Sequence, residues 1–293
     1  MRIGFLGFGE VGQRFASDLR AAGAKRALGA FDLLLHQGAA GEGMRRQAEA
    51  HQVELCADAR VLAGSADLIF SAVTAGQTVA AARSLCAQPL HDAWVFDLNS
   101  AAPATKIECA ALVAAAGGRY VEAAVMTSVP PHGIRVPMLL GGAHAAEGER
   151  VLRELGFVAQ TISADLGIAS AIKLCRSVVI KGMEALVIES FSAARKFGVE
   201  QQVLASLTET YPQFDWEKQG DYLFSRVIQH GKRRAEEMRA SAAMIDATGV
   251  GGVMAAAIAQ RQTSVAQLRA AGTFDDPTLV KPWRVRADEM GTQ

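Results

Sequence analysis

Two groups of residues in this chain have the types and spacing for chemistry. The first is Gly7-Phe8-Gly9-Glu10-Val11-Gly12, which follows the apolar run Ile3 to Leu6 and precedes an amphipathic stretch ending near Leu19. Strand, glycine turn and helix in that order are the setting of a dinucleotide fingerprint. Gly7 permits a tight turn, Gly9 lets the backbone approach a pyrophosphate, and Gly12 lets helix and strand pack closely. A helix starting near Glu10 presents unpaired N–H groups and the positive end of its dipole to phosphate. Asp32 lies in the apolar run Ala27 to Leu35, placed to bind a ribose 2′-hydroxyl. A carboxylate there repels a 2′-phosphate, so NAD is expected over NADP, with Arg45 and Arg46 able to soften the preference.

The second group is Lys173, Arg176, Ser177 and Lys181, one polar stripe on an otherwise apolar helical stretch. A lysine in a water-poor cleft beside another cation has a lowered pKa, which brings it within reach of acid–base work near neutrality. Arg176 supplies that cation and can hold a carboxylate through a bidentate fork. Ser177 can hydrogen-bond the same hydroxyl that Lys173 would deprotonate. His132 lies in a Pro-rich loop and is expected to shape a pocket. His36, His51, His91 and His144 read as surface or capping residues.

The elements that must position these groups follow from periodicity. Short apolar strands at Asp67–Val73, Ala93–Leu98, Tyr120–Val125, Val136–Leu140 and Phe157–Thr161 alternate with helical stretches, which predicts a doubly wound, mostly parallel sheet. Pro103 marks a helix's first turn. From about Asp165 the strand signals stop. Gly167 to Phe197 reads as one long interdomain helix, followed by helices near 201–211, 216–241 and 252–270. The expected organisation is an α/β Rossmann domain over 1–163 and an all-α domain over 164–293.

Composition narrows the function classes. With 293 residues the chain can hold two domains, and 50% hydrophobic content is that of a globular protein. Thirty basic residues balance 30 acidic ones, so no charge excess points to nucleic acid or a membrane surface. Cys56, Cys86, Cys109 and Cys175 form no Cys-x-x-Cys pair and have no histidine cluster with them, so buried thiols in a reducing cytosol are expected, with no metal site. The most apolar stretch, Ser241 to Ala259, contains Asp246 and Gly249, Gly251 and Gly252, and reads as a helical hairpin rather than a membrane span. The first strand begins at once, leaving no room for a signal peptide, and a cytoplasmic location is expected.

The layout resembles the β-hydroxyacid dehydrogenases, the superfamily of 6-phosphogluconate and 3-hydroxyisobutyrate dehydrogenases. Four motifs carry the likeness: Gly7-Phe-Gly-Glu-Val-Gly12; Asp97-Leu-Asn99-Ser100, where the family has Asp-x-Ser-Thr; Glu122-Ala-Ala-Val-Met-Thr-Ser128, where it has Asp-Ala-Pro-Val-Ser-Gly-Gly; and Gly167-Ile-Ala-Ser-Ala-Ile-Lys173, similar to its Gly-x-x-x-x-x-Lys. The resemblance implies that Lys173 is the catalytic acid–base group. It places Val73, Thr74, Asn99 and Lys232 with the fingerprint and Asp32 at the cofactor, and Ser100, Met126, Thr127, Ser128, Arg176 and Ser177 at a substrate carboxylate. Lys232 also fits a salt-bridged helix surface, with Arg233, Arg234, Glu236 and Glu237 around it.

Departures from the family pattern are as informative. Met126-Thr127-Ser128 replaces Ser-Gly-Gly, and Lys173-Leu-Cys-Arg176-Ser177 replaces Lys-x-x-Asn-Asn. Ile180 stands where phosphogluconate enzymes use a glutamate, so phosphogluconate decarboxylation is not expected. The C-terminal half looks like a phosphogluconate-dehydrogenase-like subgroup whose C-terminal domain has no assigned function. The implied activity is an NAD(P)-dependent interconversion of a small β-hydroxy acid and its carbonyl partner. The alternatives are imine reduction on the same scaffold and dinucleotide binding without catalysis. Family members dimerise through the helical domain, and the small-residue stretch Ser241 to Ala271 suits such packing.

Overall fold

The structure is a computed structural model and describes residues 1–23 and 26–291. The chain opens β1 (Ile3–Leu6), α1 (Glu10–Ala21), β2 (Leu28–Phe31), α2 (Gly38–Ala50), β3 (Glu54–Leu55), α3 (Ala59–Ala63), β4 (Leu68–Ser71) and α4 (Thr78–Leu85). It continues β5 (Trp94–Asp97), α5 (Pro103–Ala115), β6 (Arg119–Val125), α6 (Val129–His132), β7 (Met138–Gly141), α7 (Ala145–Glu154) and β8 (Ala159–Ser163). The strands form an 8-stranded sheet in the order β3-β2-β1-β4-β5-β6-β7-β8. All neighbours are parallel except β6 and β7.

Every residue of β1, β2, β4 and β5 is buried. That explains why these strands read as unbroken apolar runs: a parallel sheet is covered on both faces. Phe15, Phe70 and Phe157 meet with ring centroids 5.0–5.6 Å apart, and Phe5 and Phe96 extend the aromatic layer on Phe70. The run through Leu33-Leu34-Leu35 is not strand but a 3-10 turn, Leu33–His36, because Asp32 caps it by accepting from the Leu34 N–H at 2.9 Å. Leu33 and Leu34 are left exposed.

Helices follow: α8 (Ile168–Phe197), α9 (Glu200–Thr210), α10 (Trp216–Asp246), α11 (Val253–Ala270) and α12 (Trp283–Met290). The short α12 has no counterpart in the sequence reading. The chain divides into compact units between Lys173 and Leu174, inside α8. The second unit has its own core, in which Phe191, Phe224 and Trp283 are almost fully buried. There Gly231 lets α10 approach α11 closely: a Cβ would stand 2.8 Å from the Gln262 carbonyl oxygen. Among the described residues no helix is long and apolar enough to cross a membrane, and no cluster of His, Cys, Asp or Glu could hold a metal ion.

Candidate functional site

The fingerprint glycines divide the work in the way their spacing implies. Gly7 has φ +94°, and a Cβ on it would lie 2.4 Å from the Ala72 carbonyl oxygen, so only glycine makes this turn without strain. A Cβ on Gly12 would lie 2.8 Å from the Gly7 carbonyl oxygen, which is the close packing of α1 on the loop. Phe8 is fully buried and anchors the loop from below. Gly9 differs: a Cβ there meets nothing within 4 Å. No neighbouring atom of the protein demands glycine at that position, and the space beside it is open. Gly9 is also the N-cap of α1 and makes no side-chain cap, leaving the helix's first N–H groups to an anion. Glu10 and Val11 form the first turn of that helix. These features fit a bound pyrophosphate.

Asp32 directly follows β2 and is built into the loop: its Oδ2 accepts from the Phe8 N–H at 2.8 Å and its Oδ1 from the Leu34 N–H at 2.9 Å. A carboxylate has about four acceptor positions, so each oxygen retains one for a ribose hydroxyl. Arg45 Nη1 donates to the Leu35 carbonyl at 3.0 Å, and Arg46 is exposed.

Val73 and Thr74 follow β4, and Asn99 and Ser100 follow β5. In the parallel register these turns stand beside the fingerprint at the carboxyl ends of the strands, where open α/β sheets bind ligands. The Asn99 side chain ties them together. It accepts from the Val73 N–H at 2.7 Å and donates to Ser71 Oγ at 3.0 Å. Beneath it the Asn99 N–H donates to Asp97 Oδ1 at 2.9 Å, the Tyr120 hydroxyl donates to Asp97 Oδ2 at 2.7 Å, and Lys106 Nζ lies 2.8 Å from Oδ1. Burial, reinforced by Asp97, holds the Tyr120 phenol well above its ordinary pKa, so it remains a donor. Sequence reasoning missed Lys106 and Tyr120. The signal was there: Lys106, Cys109, Ala110 and Val113 share the buried stripe of α5, a place where an unpaired lysine would be too costly.

Glu122, at the head of the motif segment Glu122–Ser128, has a structural partner of its own. Glu122 is fully buried on β6, and its carboxylate accepts from the Gly167 N–H at 2.7 Å and the Ser170 N–H at 2.5 Å. It therefore caps the N-terminus of α8, where a negative charge also meets the helix dipole favourably. Gly167, with φ +93°, brings this start so close to Pro103 of α5 that a Cβ would stand 2.8 Å from it. The helix carrying Lys173 thus begins against the element that follows Asn99 and Ser100. Lys173 is half-buried and lies within the same compact unit as the fingerprint. Met126, Thr127 and Ser128 follow β6, with Thr127 exposed and the other two half-buried. The Pro-rich segment beyond them leads back to α1, where the Ile134 N–H donates to Asp18 at 2.9 Å. His132 is exposed.

Further along α8, Arg176 is exposed and Ser177 half-buried. Lys181, the last residue of the polar stripe, is 4% exposed and its Nζ lies 2.6 Å from Glu237 of α10. Burial lowers its pKa and Glu237 opposes that shift. One turn on, Glu184 accepts from Nε and Nη2 of Arg234 and from the Gln262 amide, the last at 3.1 Å. The Lys232–Glu237 segment is therefore only partly a surface. Lys232 and Arg233 are exposed, while Arg234 is inside the helical unit. The thiols are likewise not uniformly buried. Burial pushes Cys86 up to about 11 and Cys109 up to about 12, but Cys175 is exposed on α8.

His230 on α10 is half-buried, and burial together with Arg226, Arg233, Arg234 and Arg269 lowers its pKa to about 4. The unfolded chain takes up the proton near 6.5, the folded one only near 4. The stabilising contribution is therefore present above pH 6.5 and lost as pH falls through that window. Discounted for partial exposure, it is about 1–2 kcal/mol. A His230→Gln variant is expected to show a shallower acid loss of denaturation midpoint than the parent chain. Parallel slopes would reject that expectation.

The comparisons agree with this reading of the fold and nucleotide half. Residues 2–100 match the family described as NADP oxidoreductase, coenzyme F420-dependent, and residues 194–265 match a domain of unknown function, DUF1932. A solved structure of a conserved hypothetical protein from Sinorhizobium meliloti 1021 is 35% identical, covering 99% of this chain and 95% of its own with TM-score 0.75. A conserved protein of unknown function, described as structurally similar to 3-hydroxyacid dehydrogenases, is 28% identical over 93% of this chain and 99% of its own, with TM-score 0.70. Mycobacterium tuberculosis 3-hydroxyisobutyrate dehydrogenase shares the fold, at 18% identity and TM-score 0.67 over 98% of both chains. The chain belongs to the β-hydroxyacid dehydrogenase superfamily, in the branch that joins a dinucleotide-binding Rossmann domain to the DUF1932 helical domain. It is homologous to NAD(P)-dependent oxidoreductases.

Proposed function

We propose that the protein interconverts a small β-hydroxy acid and its carbonyl partner, with NAD as the hydride carrier and Lys173 as the general acid–base group. The observation that carries this is the seating of α8: Glu122 and Pro103 set the start of the lysine's helix beside the turns of the dinucleotide half, within one compact unit. A bound nicotinamide supplies the hydride acceptor or donor. Lys173 takes the hydroxyl proton as the alcohol is oxidised and returns it in the reverse direction. Arg176 and Ser177, three and four residues on along the helix, are assigned to the substrate carboxylate and hydroxyl. Ser100 and Met126–Ser128 are assigned to the pocket wall, and Lys232 to the cofactor.

Asp32 supports NAD, because its remaining acceptor positions suit a ribose diol and its charge opposes a 2′-phosphate. A homodimer through the helical unit is proposed as well. It is supported by Val250, Val253 and Met254, which are 80%, 76% and 61% exposed on and before α11.

The test is to titrate the purified chain with NADH and NADPH, then follow NADH absorbance with hydroxy acids, semialdehydes and cyclic imines. Tighter NADH binding and turnover with a hydroxy acid or semialdehyde are expected. A tighter NADPH complex overturns the cofactor assignment, and turnover confined to imines overturns the substrate class. Dinucleotide binding without turnover on any of them favours a non-catalytic protein.

A further inference from the structure

Asn99, Tyr120 and Lys106 each meet the Asp97 carboxylate, and Lys106 is the one that also reaches its main chain. Its Nζ lies 2.8 Å from the Asp97 carboxylate and donates to the Asp97 carbonyl oxygen at 3.1 Å. Lysine and aspartate are 1% and 2% exposed. A buried ion pair of this kind is weak evidence for stability, because apolar residues of similar volume commonly serve as well. What the pair supplies here is order. An ammonium with three donors can hold both the carboxylate and the carbonyl of one residue, and so fixes Asp97 at the last position of β5. Asp97 then receives the Asn99 N–H, and the Asn99 side chain clamps the Val73 N–H and reaches Ser71. The turns after β4 and β5 are thereby joined from beneath.

We propose that Lys106 is a positioning residue for dinucleotide binding, which it serves by locking the turns after β4 and β5 into one geometry through Asp97 and Asn99. The inference rests on the dinucleotide reading above. Binding to preformed loops avoids the cost of ordering them, so loosening the lock weakens the nucleotide without touching any group that contacts it.

The test measures NADH affinity by fluorescence and thermal unfolding on the full chain. Lys106→Met is expected to weaken NADH about tenfold, equivalent to ~1.4 kcal/mol, and to lower thermal stability because Asp97 loses its counter-charge. Lys106→Met combined with Asp97→Asn removes both charges. That pair is expected to recover stability while NADH binding stays weak, a split that a merely structural role would not produce. A folded variant of either kind that binds NADH as tightly as the parent overturns the proposal. If neither folds, Ser71→Ala decides, since it removes only the acceptor of the Asn99 amide: a weaker NADH complex supports the lock and an unchanged one overturns it. A parent chain that binds neither NADH nor NADPH removes the dinucleotide reading itself, and this proposal with it.

Discussion

Replacing Lys173 with alanine is expected to lower turnover at least about a hundredfold, the lower range for losing a positioned acid–base group, while NADH affinity stays that of the parent. Alanine has the highest helix propensity, so α8 persists and the change is confined to the side chain. The helix start does not depend on Lys173, because Glu122 holds it through Gly167 and Ser170. Lys173→Arg sharpens the experiment. Arginine keeps the positive charge but cannot give up a proton in the accessible pH range. If Lys173 only attracts a carboxylate, the arginine variant retains activity. If it moves a proton, both variants are inactive while both still bind NADH. Near-normal turnover in the alanine variant would reject the assignment.

Stability and nucleotide affinity are expected to move in opposite directions at Gly9. Aspartate is a favoured N-cap, and Gly9 is an N-cap with open space where its Cβ would go. Gly9→Asp should therefore leave thermal stability unchanged or raise it. The same carboxylate would stand where a pyrophosphate must lie, and like charges in contact cost several kcal/mol, so affinity for NADH should fall by about a hundredfold or more. Gly7→Ala is the contrast. Its φ of +94° and the Ala72 oxygen at 2.4 Å from a Cβ make the substitution strained in the folded chain. That variant should lose roughly 2–3 kcal/mol of stability, seen as a lower unfolding temperature. A Gly9→Asp chain that binds NADH normally would show that this loop does not hold the phosphates.

The two readings of α8 show where sequence reasoning succeeds and where it stops. Period and length identified the helix over almost its whole extent, and the placement of Gly167 identified its start. The polar stripe that contains Lys173 runs on to Lys181, and the structure adds its partner, Glu237 of α10. Helical spacing says which residues share a face, but it does not say which neighbouring helix that face meets. Glu122 is a parallel case. The motif gives it no role by itself, and its partners lie 45 and 48 positions away at the start of α8.

What the sequence by itself determined are the features made within one short segment: the strand, glycine turn and helix of residues 3–21, the alternation of buried strands with helices, and the switch to an all-helical half. Those follow from local conformational preference and hydrophobic period, which a chain carries residue by residue. Only the tertiary structure decided which buried charges find each other. Lys106 with Asp97, Lys181 with Glu237 and Glu184 with Arg234 are pairs drawn from different elements. An apolar stripe can show that such a charge must find a partner, but it does not record which residue of another element that partner is. The glycine fingerprint could thus be read directly, while the polar lock beneath the neighbouring turns became visible only once β4, β5, β6 and α5 were packed together.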